Sequence, residues 1–250
     1  MRGIILAGGT GSRLYPLTKV INKHLIPVGN VPMIYHAINK LVEADITDIL
    51  IITGIEHCGT IISQCGDGSE FNCKLTYKVQ VHAGGIAQAL LLAEDFVQHD
   101  KCCVILGDNI FNKNIKNDVQ EFDSHGEGAK IFLKKVKDPS RFGVAYGYRK
   151  MSMSSNQLRV ENIEEKPTNP KSDLAVTGIY FYDSTVFQKI KSIQPSARGE
   201  LEITDVNNLY IKDNQMTAIV MDESEWWTDA GTFESLTTAN NLVNSFSELR

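Results

Sequence analysis

The sequence has no apolar run of membrane-spanning length. Segments such as 49–52 and 89–93 stop far short of the ~20 residues needed to cross a bilayer, which excludes an integral helical membrane protein. It has no basic stretch either. Lys and Arg number 25 against 30 Asp and Glu, for a net charge of −5, so duplex nucleic acid is not an expected partner. Cys-x-x-Cys is absent, and the five cysteines (Cys58, Cys65, Cys73, Cys102, Cys103) are odd in number; this favours reduced thiols over disulfides or a zinc site. Low-complexity tracts, internal repeats and interdomain linkers are missing as well, and a 42% hydrophobic composition excludes disorder. The apolar stretch before Gly8 is too short for a signal-peptide core, so the cytoplasm is the expected location. Residues 1–250 read as a single domain.

What is there is an alternation of two periods. Arg2–Ala7, 48–53, Lys74–Gln80 and 101–106 read as strands, three of them continuously apolar. Between them Ile34, Ala37, Ile38, Leu41 and Val42 fall on one helical face that Pro32 opens. Residues 86–96 read as one helix, apolar almost all round. This predicts an α/β fold with a Rossmann-like, mostly parallel central sheet and helices on both faces. Segments 129–136, 143–148, 158–164 and Leu174–Tyr182 continue as strands with turns between them, which adds a smaller antiparallel, substrate-binding part. Helices are expected at 184–193, 203–213 and 232–246.

The first strand runs into Gly8-Gly9-Thr10-Gly11-Ser12-Arg13-Leu14. Glycines there let backbone N–H groups approach phosphate oxygens. A dinucleotide fingerprint fails because Leu14 stands where a small residue is needed, and no Gly-Lys-Ser/Thr follows for a P-loop. Arg13 and, ten residues on, Lys23 put two cations beside the loop, which suits a triphosphate; a tight turn with two solvated charges is the alternative. Asp108 follows a buried strand, and Asp229 lies between a strand-like run and the last helix. Such carboxylates suit Mg²⁺ on phosphate oxygens, or simply a turn and a near-cap position. Glu165-Lys166 and Arg198 suit sugar hydroxyls and a phosphate monoester, or are loop charges. The histidines lack metal-ligand spacing, and Trp226 and Trp227 suit stacking on a base or sugar or, the safer reading, core or interface packing.

Five strings in order carry a family resemblance. The stretch from Gly3 through Leu6-Ala7-Gly8-Gly9-Thr10-Gly11-Ser12-Arg13-Leu14 to Thr18 resembles the signature of the sugar-1-phosphate nucleotidyltransferases. Leu106-Gly107-Asp108-Asn109, Glu164-Glu165-Lys166-Pro167 and Ala175-Val176-Thr177-Gly178 are similar to the same family. The string from Pro195-Ser196-Ala197-Arg198-Gly199-Glu200 to Asn207 resembles its thymidylyl branch rather than the uridylyl or adenylyl ones. The resemblance implies transfer of a thymidylyl group from dTTP to α-D-glucose 1-phosphate, giving dTDP-glucose and pyrophosphate, the first step of dTDP-sugar synthesis of the dTDP-L-rhamnose type. It implies that Leu6, Gly8, Gly9, Gly11 and Ser12 hold the nucleotide. Arg13 and Lys23 would neutralise its phosphates, and Gln80 and Gly85 would read the thymine edge. Asp108 and Asp229 would bind Mg²⁺. Gly143, Glu165, Val176 and Tyr180 would contact the glucosyl group, and Lys166 and Arg198 its phosphate. A homo-oligomer, tetramer or dimer, is expected.

Three departures qualify the resemblance. Longer relatives carry a C-terminal helical extension that forms an effector site, so weak feedback inhibition is expected here. Val81-His82-Ala83-Gly84 replaces a proline-containing loop, which loosens the expected base selectivity, and Phe142 stands where tyrosine is usual. A relative using UTP or another sugar phosphate is the main rival reading. A non-catalytic nucleotide or sugar-phosphate sensor is a weaker one, having no need of Arg13, Lys23, Asp108, Lys166 and Asp229 together.

Overall fold

The computed structural model describes residues 1–151 and 157–247. The chain opens with β1 (Arg2–Ala7), a small hairpin of β2 (Pro27–Val28) and β3 (Val31–Pro32), and α1 (Met33–Glu43). Next come β4 (Asp48–Gly54), α2 (Cys58–Cys65), β5 (Lys74–Gln80), and the short helices α3 (Ile86–Leu91) and α4 (Glu94–Val97). They are followed by β6 (Cys102–Leu106), β7 (Asn109–Phe111), α5 (Lys116–His125), β8 (Ala129–Lys135), β9 (Gly143–Lys150), β10 (Gln157–Glu165) and β11 (Leu174–Tyr182). The last elements are α6 (Val186–Ser192), α7 (Ile203–Lys212), β12 (Met216–Val220), β13 (Trp227–Asp229) and α8 (Phe233–Ser247).

Among the described residues nine strands form one mixed sheet, in the order β5-β4-β1-β6-β11-β8-β12-β10-β9. The β5-β4-β1-β6 half is parallel, and direction reverses at β11, which pairs antiparallel with both β6 and β8. Successive residues of the parallel strands enter opposite core layers. Ile4, Leu6, Leu50 and Ile52 pack with Ala87 and Leu90 of α3; Ile5, Ala7, Ile49 and Ile51 pack with Ile34, Ile38 and Leu41 of α1. Burial on both faces is why these strands read as unbroken apolar runs. From β1 the chain turns through α1 to β4 on one side, then comes back at β6 on the other. The carboxyl ends of β1 and β6 therefore flank a switch point, where an open α/β sheet leaves a crevice for ligand.

The expected helix over 86–96 is in fact two, α3 and α4. The Lys78 ammonium takes the Leu92 carbonyl at 2.9 Å and also pairs with Asp95. Leu92 and Ala93 N–H groups close tight turns on Ala89 and Leu90 instead. The elements without an anticipated range are α2, α5, β12, the β2–β3 hairpin and the ribbon of β7 with β13. In α5 only Val119 and Phe122 are buried, one turn apart, too few to set up a visible helical stripe. No helix among the described residues is long and apolar enough to cross a membrane. All five thiols are free.

Candidate active site

The glycine loop leaves β1 at the switch point. Gly11, in the left-handed conformation, opens a turn over Ser12–Leu14, and Leu14 inserts fully into a small core with Ile26, Val28 and Met33. That anchor leaves Ser12 and Arg13 exposed. Lys23 lies beneath the loop and is only 9% exposed. A cavity of about 230 Å³ is lined here by Leu6, Gly8, Gly9, Lys23, Gln80, Gly85 and Asp108, with His24, Leu106 and Glu200. Gly85 has φ 96, and a Cβ there would lie 2.5 Å from the Leu201 carbonyl, so only glycine fits where the chain enters α3. Gly11 and Ser12 do not line this cavity, and neither is among the residues around the second one.

Asp108 follows β6, and Lys23 Nζ donates to its Oδ2 at 2.6 Å. Burial pushes this carboxyl up, but Lys23 and the Asn109 amide more than offset it, so Asp108 stays well below the usual carboxylate range. Asp229 reaches the same place from the far end of the sequence through the β7–β13 ribbon. In its register Asp229 faces Asn109, and the Ala230 N–H donates to the Asp108 carbonyl at 2.8 Å. Burial and then the Asp108 charge push Asp229 up to about 6, against Arg141, Arg13 and Lys23. Among the described residues no three or more His, Cys, Asp or Glu side chains gather as a metal cluster. The donor set is thus two carboxylates lining one cavity, a set that would suit a Mg²⁺ ion neutralising phosphate oxygens.

A second cavity, about 250 Å³, adjoins the first at Leu106 and Asp108. Arg13, Gly143, Glu165, Lys166, Val176, Tyr180 and Asp229 line it. Glu165 is its polar hub: Thr204 Oγ1 donates to it at 2.6 Å, and Lys166 and Arg198 reach its Oε1 at 3.3 and 3.4 Å. Lys166 holds a left-handed φ of 43, fixed by its N–H to the Phe142 carbonyl at 3.0 Å. Such backbone strain next to a cavity is common at ligand clamps. Arg198 is not among the lining residues; Glu202 holds its guanidinium at 2.8 and 2.9 Å.

Sequence reasoning missed four neighbours of this cavity. Arg141 donates to Asp229 at 3.2 Å, and its only signal was its place just before Phe142-Gly143. Asn109, 4% exposed, donates to Asp108 at 2.8 Å and accepts from the Gly178 N–H at 3.0 Å and the Trp227 indole at 2.6 Å. Trp227, read as packing, lines the cavity and meets Phe142 edge-on at 5.1 Å. Thr204 opens α7 and had no signal beyond its place in a matching string.

Against known proteins, the model of the nucleotidyl transferase family matches residues 2–245. The chain belongs to that family. A glucose-1-phosphate thymidylyltransferase of Neisseria meningitidis is 42% identical over 100% of this chain and 85% of its own. One from Mycolicibacterium smegmatis is 41% identical, covering 100% and 84%. Among solved structures, a proposed glucose-1-phosphate thymidylyltransferase from Bacillus anthracis, crystallised with sucrose, superposes with a TM-score of 0.88 and 60% identity, covering 97% of this chain and 94% of that one. A UDP-glucose pyrophosphorylase complexed with UDP-glucose has a TM-score of 0.85 at 22% identity, covering 100% of this chain and 99% of that one, a likeness of fold alone. The family expected from the five strings and the family found are the same.

Proposed function

We propose that the chain transfers a thymidylyl group from dTTP to α-D-glucose 1-phosphate, releasing pyrophosphate and forming dTDP-glucose. One observation carries this reading: two cavities meet at Asp108, one walled by the glycine loop with Gln80 and Gly85, the other by Glu165, Lys166 and Asp229. The α-phosphorus would sit at their junction. A sugar-phosphate oxygen attacks it in line, the new P–O bond forms, and the bond to the β-phosphate oxygen breaks as pyrophosphate leaves. Such a transfer needs positioning and charge neutralisation more than covalent help. Arg13 and Lys23 would take the charge of the nucleotide phosphates, with the loop N–H groups from Gly8 to Ser12 around them. Asp108 and Asp229 would hold Mg²⁺. When bound, the cation neutralises and polarises phosphate oxygens. Lys166, and Arg198 anchored on Glu202, would hold the sugar phosphate, while Glu165 accepts from sugar hydroxyls. We place the reaction in the cytoplasm and read the protein as a homo-oligomer, dimer or tetramer; a monomer mass by light scattering would count against the latter.

The test is pyrophosphate release with dTTP, UTP, dCTP and ATP against glucose 1-phosphate. Thymine and uracil share a hydrogen-bonding edge and differ by one methyl, worth only ~1–3 kcal/mol, so UTP should be used at a reduced rate. A clear preference for ATP or dCTP would overturn the thymidylyl reading.

A further inference from the structure

The amide that ends β5 is held by a second amide, and the consequence drawn here rests on the reading above that Gln80 faces the base. Gln80 is 8% exposed. Its Nε2 donates to the side-chain oxygen of Gln88 at 2.5 Å and to the Gly85 carbonyl at 3.3 Å. Gln88 lies in α3 and is half-buried. A backbone carbonyl only accepts, so the Gly85 contact settles which end of the Gln80 amide is nitrogen, and the Gln88 oxygen takes the second proton. The remaining end, Oε1, faces the glycine loop beside the first cavity; a Cβ on Gly8 would stand 2.4 Å from it.

We propose that Gln88 is a positioning residue that sets base specificity by holding the Gln80 amide with its oxygen toward the nucleotide. An acceptor in that place suits the N3–H of thymine or uracil. It opposes the bare N3 of cytosine, which needs a donor. For Gln80 to offer its nitrogen instead, the amide must turn over. That breaks the bond to Gly85 and sets Oε1 against its carbonyl oxygen, and it keeps the Gln88 contact only if that second amide turns over as well.

The experiment is kcat/KM for dTTP and dCTP in the full chain, wild type against Q88L, Q88E, Q88K and Q80L. Q88L removes one of two locking bonds and should lower the dTTP:dCTP ratio by about five- to tenfold. Q88E still accepts from the Gln80 amide and should keep the ratio within about twofold of wild type. Q88K places a donor where the acceptor was and should lower the ratio at least as far as Q88L, so the proposal stays testable if Q88L does not fold. Unchanged ratios in Q88L and Q88K, with a collapsed ratio in Q80L, would leave Gln80 as base reader and overturn the role of Gln88. An unchanged ratio in Q80L would overturn the reading of Gln80, and the proposal with it.

Discussion

Asp108 and Asp229 are separated by nearly half of the sequence, yet the Asp108 charge helps push the Asp229 carboxyl up. If they share a cation on the nucleotide, Asp108→Asn or Asp229→Asn should lower kcat by roughly a hundredfold or more with the circular dichroism spectrum unchanged, and a chelator should abolish turnover. Full activity in EDTA would remove the metal from the reading. A different residue adds to acid sensitivity. His24 is buried beside Lys23, with Nδ1 at 3.0 Å from the Asn22 side-chain oxygen Oδ1, and burial first, then Lys23, push it down to about 3. The unfolded chain takes up that proton near pH 6.5 and the folded one near 3, so between these values the unfolded state binds more protons. Stability should fall as pH drops through this window. Thermal melts of His24→Asn should show a shallower loss of Tm from pH 6.5 to 4 than wild type; an equal slope would refute the assignment. At this scale Asp108 and Glu165 were legible because each stands in a distinctive string, and Lys23 because it follows Arg13 of the glycine loop by ten residues. Arg141 and Trp227 were not, since a lone arginine and a tryptophan pair carry no spacing that separates a cavity wall from ordinary packing.

Among elements, β11 decides most. It is buried along its whole length and divides its side chains between the two core layers. Tyr180, Tyr182 and Tyr210 stack in one layer at 6.0 and 5.8 Å, and the Tyr182 hydroxyl donates to Asn207 at 2.6 Å. Phe181 enters the other, against Phe132 at 5.2 Å and Phe122 at 5.7 Å. Phe181→Ala should therefore cost about 3–5 kcal/mol of unfolding free energy, measured by denaturant titration. A cost below about 1 kcal/mol would mean that this layer is loosely packed. Strands β11, β1, β4 and β6 were readable because two-sided burial forces unbroken apolar sequence, and the edge strand β5 because its residues alternate. The β7–β13 ribbon was not, because each strand has three residues and its pairing joins Asn109 to Asp229 across the chain. Pattern within a short window cannot report a partner that far away. The break between α3 and α4 was hidden for a similar reason: Lys78, which caps the Leu92 carbonyl there, lies on β5.

Across the whole molecule, the two cavities draw their walls from different halves of the sheet. The first takes Leu6, Gly8, Gly9 and Gln80 from the ends of β1 and β5 in the parallel half; the second takes Gly143, Glu165, Val176 and Tyr180 from β9, β10 and β11 in the antiparallel half. A product that fills both would tie the halves together through one ligand, whereas each fragment touches mainly one. Binding to the native state alone stabilises by RT ln(1 + [L]/Kd), so the shift in Tm reports affinity at a fixed ligand concentration. With Mg²⁺ present, dTDP-glucose should raise Tm more than dTMP or glucose 1-phosphate does at the same concentration. It should also exceed the two fragments added together, because joining them means that the second cavity is filled without a second loss of translational freedom. Lys166→Ala should reduce the shift from dTDP-glucose while leaving that from dTMP nearly intact, whereas Gln80→Leu, on the nucleotide side, should reduce both. Equal shifts for dTMP and dTDP-glucose would place the sugar outside the second cavity and detach Glu165, Lys166 and Tyr180 from substrate.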